Sequence, residues 1–236
     1  MKRLLPFSLI IFVLGLAFAA YWFMTRPPQT ATRGPGATGT SAAPVDSGAN
    51  TAAALNAPPG ATPPHFHGSE NARVTLEEFG DFECPPCGMV HPILKGIEAE
   101  YGSRIRVIFR EFPLTPTHVH ALAAARAAEA AGLQGMFFEM HDMIYENQRT
   151  WKDSFDVRPI FEGYARNIGL DVERFNRDVT SDAVERRITL DGSRGHALGV
   201  KGTPTIFLNG VEMPFDQLTP EGLRAAINKA LSNPGD

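Results

Sequence analysis

An α/β fold is predicted by three features of this 236-residue chain. A run of β-branched and apolar residues at 73–79 passes through a short turn into a segment whose apolar residues recur at helical spacing. A second strand-like run, Ile105-Arg106-Val107-Ile108-Phe109, follows at 105–112. Roughly a hundred residues of mainly helical pattern then precede a proline-containing segment near the C-terminus, Val200-Lys201-Gly202-Thr203-Pro204. The only two cysteines, Cys84 and Cys87, fall where the first strand hands over to the first helix.

In chain order, Lys2 and Arg3 precede an apolar run from Leu4 to Met24. Its length suits one transmembrane helix, with Tyr21-Trp22-Phe23 as an interfacial aromatic belt. A cleaved signal peptide competes, because Ala17-Phe18-Ala19 resembles a cleavage site. Residues 1–26 are expected to be a single-pass anchor in the cytoplasmic membrane, and on either reading the rest of the chain lies on its extracytoplasmic side. Residues 27–65, rich in Ala, Gly, Pro, Thr and Ser, contain too little apolar surface to fold and are expected to be a disordered linker. As a coil that segment spans roughly 35 Å, and extended about 120 Å.

The remaining residues, 66–236, suffice for one globular domain with a sizeable core. They carry 18 Lys and Arg against 25 Asp and Glu, a net −7. That balance excludes the basic patch expected of a nucleic-acid binder. Strand 73–79 leads into the turn Gly80-Asp81-Phe82-Glu83. In the helix that follows, Met89, Val90, Ile93, Leu94 and Ile97 mark the expected apolar face. Pro85 or Pro86 fits its first position, where a missing N–H loses no bond. Pro92 inside it is expected to kink it. Helical segments are expected at 118–134, 135–147, 157–168, 171–178 and 182–198.

Cys84-Pro85-Pro86-Cys87 carries the chemistry. Thiolate is the reactive form of cysteine, and a helix N-terminus stabilises it. Three other readings of the pair are weaker. Structural zinc needs four ligands, and neither His65/His67 nor His118/His120 has finger spacing. A structural disulfide closing so small a loop stabilises little. Copper handling rests on ligand softness alone.

The stretch Cys84-Pro85-Pro86-Cys87-Gly88-Met89-Val90-His91-Pro92-Ile93-Leu94 resembles the active-site helix of the thioredoxin superfamily. Val200-Lys201-Gly202-Thr203-Pro204-Thr205-Ile206-Phe207 is similar to that family's cis-proline loop. Phe112-Pro113-Leu114, the alanine-rich helix and Gly135-Met136-Phe137-Phe138-Glu139-Met140-His141-Asp142 resemble its DsbA-like branch. The resemblance covers about residues 70–232. It implies a thioredoxin fold with a helical insertion at about 115–198, between the active-site half and the cis-Pro half.

The resemblance further implies a thiol:disulfide oxidoreductase with Cys84 as nucleophile and Cys87 as resolving cysteine. No cofactor beyond the redox-active Cys84–Cys87 disulfide, and no metal, is expected. Pro204 is expected cis, Thr203 to present backbone groups to an extended substrate, and Glu78 to be a buried acid beneath the pair. Glu77 should face the other side of the strand, and Glu83 should be exposed. His91, His118, His120, His141 and His196 are read as packing or surface residues. Pro86 brings neither cation nor N–H, unlike the Pro-His dipeptide of the best-known oxidases, so a less depressed Cys84 pKa is expected. Substrates would be unfolded exported proteins, and reoxidation would need a DsbB-like or VKOR-like membrane partner. The alternatives are a reductase or isomerase and, outside enzymes, a chaperone or metal-delivery module.

Overall fold

A computed structural model describes residues 56–232. The expected anchor at 1–26 and most of the expected linker lie outside the described residues. Among the described residues no helix is long and apolar enough to cross a membrane.

Five strands form a mixed sheet in the order β1-β3-β2-β4-β5. They are β1 (His65–Gly68), β2 (Val74–Gly80), β3 (Ile105–Glu111), β4 (Thr205–Leu208) and β5 (Val211–Glu212). β2 and β3 run parallel, with Glu78 opposite Phe109, and β4 lies antiparallel to β2, with Ile206 opposite Glu78. The β2–β3 crossover is helix α1 (Pro85–Tyr101), as parallel neighbours require. Cys84 is its N-cap and Pro85 its first residue. The helix continues through Pro92.

Side chains alternate across the sheet. Val74 and Leu76 pack with Val90, Leu94 and Ile97 of α1 and with Leu223 and Ile227 of α8 (Pro220–Ser232). Phe79 faces the opposite side and packs with Phe112, Val200 and Phe207. Of the apolar face expected for α1, Val90, Leu94 and Ile97 are buried, whereas Met89 is 61% exposed.

The insertion holds five helices: α2 (Ala121–Gly132), α3 (Phe137–Glu146), α4 (Gln148–Trp151), α5 (Arg158–Asn167) and α6 (Val172–Asp178). Helix α7 (Asp182–Ala197) returns the chain to the sheet. Alanine dominates α2 because its neighbours approach closely. Ala124, Ala125, Ala127, Ala128, Ala130 and Ala131 are fully buried among Phe137, Met140, Ile144, Trp151 and Phe161.

The linker boundary expected at residue 65 is corrected. Residues 58–63 are stitched to the domain by three arginines that donate to their carbonyls. Arg194 donates to Pro58, Arg110 to Pro59 and Ala61, and Arg187 to Pro63, at 2.8–3.1 Å. Ala61 N–H donates to Asp191 Oδ1 at 2.7 Å. Gly60 turns there with φ +80°, and a Cβ would lie 2.7 Å from Arg110 Nη1. A segment too poor in apolar side chains to fold by itself is thus ordered through its backbone.

Candidate active site

The cysteine pair sits at the C-terminal end of β2. Cys84 is 5% exposed and Cys87 fully buried, and both are free thiols in this structure. Cys84 Sγ donates to the carbonyl of Thr203 at 3.2 Å. The Thr203–Pro204 peptide is cis, as expected. A second cis bond, Thr62–Pro63, lies in the ordered strap and was not anticipated. Pro85 is exposed and Pro86 half-buried.

The two thiols differ in acidity. The Cys87 thiol hydrogen-bonded to Cys84 lowers the Cys84 pKa most. Burial opposes this, the Thr203 side chain and the Cys87 backbone N–H reinforce it, and the value settles at about 6. The Thr203 hydroxyl oxygen is out of solvent and has no partner while Cys84 is protonated, so its O–H is free for a thiolate. Burial pushes the Cys87 thiol well up, and the neighbouring Cys84 and Glu78 charges add to that.

Glu78 lies where expected, on β2 beneath the pair, 5% exposed, with Oε1 unpartnered. Burial, with Glu98 and Cys84 adding repulsion, raises its pKa to about 8. Glu77 faces the other side, between Arg110 and Arg194 at 2.7 Å.

The loop before α1 is held by residues that sequence reasoning left aside. Asp81 is buried. Its Oδ1 accepts from Glu83 N–H at 2.8 Å, and its Oδ2 accepts from Leu114 N–H at 2.8 Å. Asp81 Oδ2 also lies 2.7 Å from His118 Nδ1. Burial works against charge on His118, but the Asp81 carboxylate overrules it and raises the pKa. The Cys84 charge acts on His118 in the same direction. Glu83, expected to be exposed, is half-buried and accepts from His120 N–H at 2.6 Å. Gln148 Nε2 donates to the carbonyls of Phe82 and Cys84 at 2.7 and 2.9 Å, tying α4 to the cysteine turn.

Nothing in the local sequence marks Gln148, whose partner is 64 residues away. Asp81 does carry a signal, since an Asp two residues before a turn amide is an Asx-turn residue. His91 and His141 are buried, as the packing reading requires, and lie with their rings 5.1 Å apart. Burial, more than their mutual repulsion, holds His91 down at about 4, and burial also lowers His141.

A strand, a helix-capping thiol of low pKa, a buried partner thiol and a cis-proline loop against them define a dithiol exchange centre. The thioredoxin family model matches residues 61–229. The chain belongs to the thioredoxin family and is a thiol:disulfide oxidoreductase, with a fold shared by DsbA-like proteins. BdbD from Bacillus subtilis superposes with a TM-score of 0.64 at 19% identity, covering 72% of this chain and 94% of that one. A thioredoxin-like oxidoreductase from Silicibacter pomeroyi DSS-3 gives 0.61 at 26% identity, covering 72% and 93%. A protein named Na(+)/H(+) antiporter NhaA 1 of Salinispora arenicola is 38% identical over 169 residues, covering 71% of this chain. The match occupies only 25% of that relative's length.

Proposed function

We propose that the protein is an extracytoplasmic disulfide donor, held at the membrane by its N-terminal segment, that oxidises exported proteins. The observation that carries this is the unequal pair. A Cys84 thiolate stabilised to a pKa of about 6 favours the reduced form. A favoured reduced form makes the disulfide a stronger oxidant.

The exchange runs in two steps. A substrate thiolate attacks Cys84 Sγ of the closed disulfide, and the electron pair of the broken S–S bond leaves on Cys87. Glu78, protonated at neutral pH, is placed to give its proton to that sulfur. A second substrate thiolate then attacks the substrate sulfur of the mixed disulfide and releases Cys84 as thiolate. The substrate loses two electrons and the pair gains two. The Thr203 backbone beside Cys84 suits an extended main chain, so recognition is broad. Val119 and Phe155, 80% and 103% exposed, offer apolar contact beside the His118–His120 loop.

Reoxidation calls for a quinone-linked membrane partner of DsbB-like or VKOR-like type. A membrane setting is supported by the antiporter-named relatives, in which a matching stretch is one quarter of a longer chain. The test is the equilibrium potential of the Cys84–Cys87 pair in the full-length chain against glutathione. A value of about −120 to −160 mV supports a donor. A value of about −270 mV overturns it and makes the protein a reductase supplied with electrons from elsewhere.

A further inference from the structure

A cavity of about 60 Å3 beneath α1 is lined by His67, Glu78, His91, Lys95, Glu98, His141 and Asp142 together with apolar side chains. Apart from Glu78, these polar groups take no part in the thiol exchange. His91 comes from α1 and His141 from α3, and they are 6% and 7% exposed. The Nε2 atom of each is buried without a hydrogen-bond partner, as is Glu78 Oε1. Leaving such a group unsatisfied costs about 1–3 kcal/mol, and here three converge on one cavity.

The geometry suits a shared cation. Asp142 Oδ1 lies 3.0 Å from His141 Nδ1 and 3.6 Å from His91 Nε2, so the donor atoms that face one another are His141 Nδ1, His91 Nε2 and Asp142 Oδ1. The two rings stand 5.1 Å apart with their planes at 69°. Two imidazoles on one tetrahedral ion have centroids about 5 Å apart, because each metal–nitrogen bond is about 2.1 Å. Donor atoms of His91, His141 and Asp142 lie within 4.8 Å of one another.

We propose that His91, His141 and Asp142 form a binding site for a borderline divalent transition ion of the Zn2+ kind, separate from the cysteine pair. Two imidazoles and a carboxylate suit such an ion, whereas Ca2+ and Mg2+ take oxygen ligands. Glu98 and His67, 3.8 Å apart, stand ready at the mouth for the remaining position. Lys95 Nζ covers the outer oxygen of Asp142 at 2.6 Å. Its side chain is 44% exposed and is free to swing away when a cation enters.

The test uses the full-length chain with the Cys84–Cys87 disulfide closed, so that no thiolate can bind metal. Titration with Co2+ is followed by calorimetry and visible absorption, then by displacement with Zn2+. The expected result is one equivalent bound at micromolar or lower concentration, with ligand-field bands and no thiolate charge transfer. His91→Gln with His141→Gln should weaken binding at least about tenfold. Because buried changes can unfold the protein, Asp142→Asn at the cavity mouth serves as a second variant. With an unchanged circular dichroism spectrum it should also lose about tenfold. The proposal is overturned by an oxidised wild type that does not saturate. It is equally overturned by binding unchanged in Asp142→Asn, or by binding that appears only after reduction, which would place the metal on the cysteines.

Discussion

Glu77 and Glu78 are neighbours on the central strand, 7% and 5% exposed, and they live by opposite chemistry. Glu77 faces α7. Burial opposes its ionisation, but the flanking Arg194 and Arg110 guanidiniums hold its carboxyl below the usual range. Glu78 faces α1, meets no cation, keeps an oxygen unpartnered and stays protonated to about pH 8. The strand pleat alone separates them. On one face a charged lattice of Glu77, Arg110, Asp191 and Arg194 locks the N-terminal strap. On the other, a small polar cavity under the cysteines is left unsatisfied. Stability is concentrated on the first face and chemistry on the second.

Breaking the lattice should have the largest effect at neutral pH. Arg110 is 4% exposed and binds Glu77, Asp191 and the carbonyls of Pro59 and Ala61. Arg110→Ala leaves two carboxylates buried and frees the strap, so a loss of about 4 kcal/mol is expected in urea unfolding. A loss below about 1 kcal/mol would mean that water already screens this face.

Glu78→Gln sharpens the contrast from the other side. The folded pKa of Glu78, about 8, is raised above the ordinary 4.5. Between these values the folded state holds a proton that the unfolded state has released. Its contribution is therefore complete below pH 4.5 and is lost as pH rises through about 8. Wild type should lose about 5 kcal/mol across that range relative to Glu78→Gln. Parallel stability–pH curves for the two proteins would show that Glu78 is hydrated in solution.

Gly88→Ala probes the joint between insertion and active-site helix. An added Cβ would lie 2.6 Å from Gln148 Oε1 and 3.0 Å from its Cδ. Gln148 must then shift and loosen its bonds to Phe82 and Cys84, for a cost of about 2 kcal/mol. The thermal midpoint should fall, and Cys84 should alkylate faster. An unchanged midpoint would mean that Gln148 moves freely and does not tie the two parts.

How much of this was legible follows the range of the interactions. The strands at 73–79 and 105–112 and the helical segments expected between 118 and 198 were readable because hydrophobic period is local, whereas α4 and α8 were not anticipated. Their observed ends differ by one or two residues, apart from α2, which begins at Ala121 and not at 118. Residues 118–120 are spent on bonds to Asp81, Glu83 and Ser154 instead. The cysteines were legible from their spacing at a strand-to-helix junction, and the cis Thr203–Pro204 bond and the buried Glu78 through family resemblance, since no periodicity marks them. The strap at 58–63 was missed because its order comes from arginines 49 or more residues away along the chain, not from its own side chains. His91 and His141 could be read as buried, but their meeting across two helices needed the fold.

His118 tests the smallest of these long-range contributions. It is partly buried, with its imidazole 2.7 Å from Asp81 Oδ2, and that carboxylate raises its pKa. Asp81 itself opposes the Cys84 thiolate. With His118 protonated, the pair presents a neutralised carboxylate to the sulfur. His118→Ala uncovers the Asp81 charge, and the Cys84 pKa should rise from about 6 by about one unit or less. The pH dependence of Cys84 alkylation reads this directly, with the midpoint moving up and the limiting rate at high pH held. The disulfide should become a slightly weaker oxidant in step, because the thiolate it releases is less stable. A midpoint that stays in place would leave the Cys87 thiol and Thr203 as sufficient support for the thiolate, and His118 as a tether for the loop.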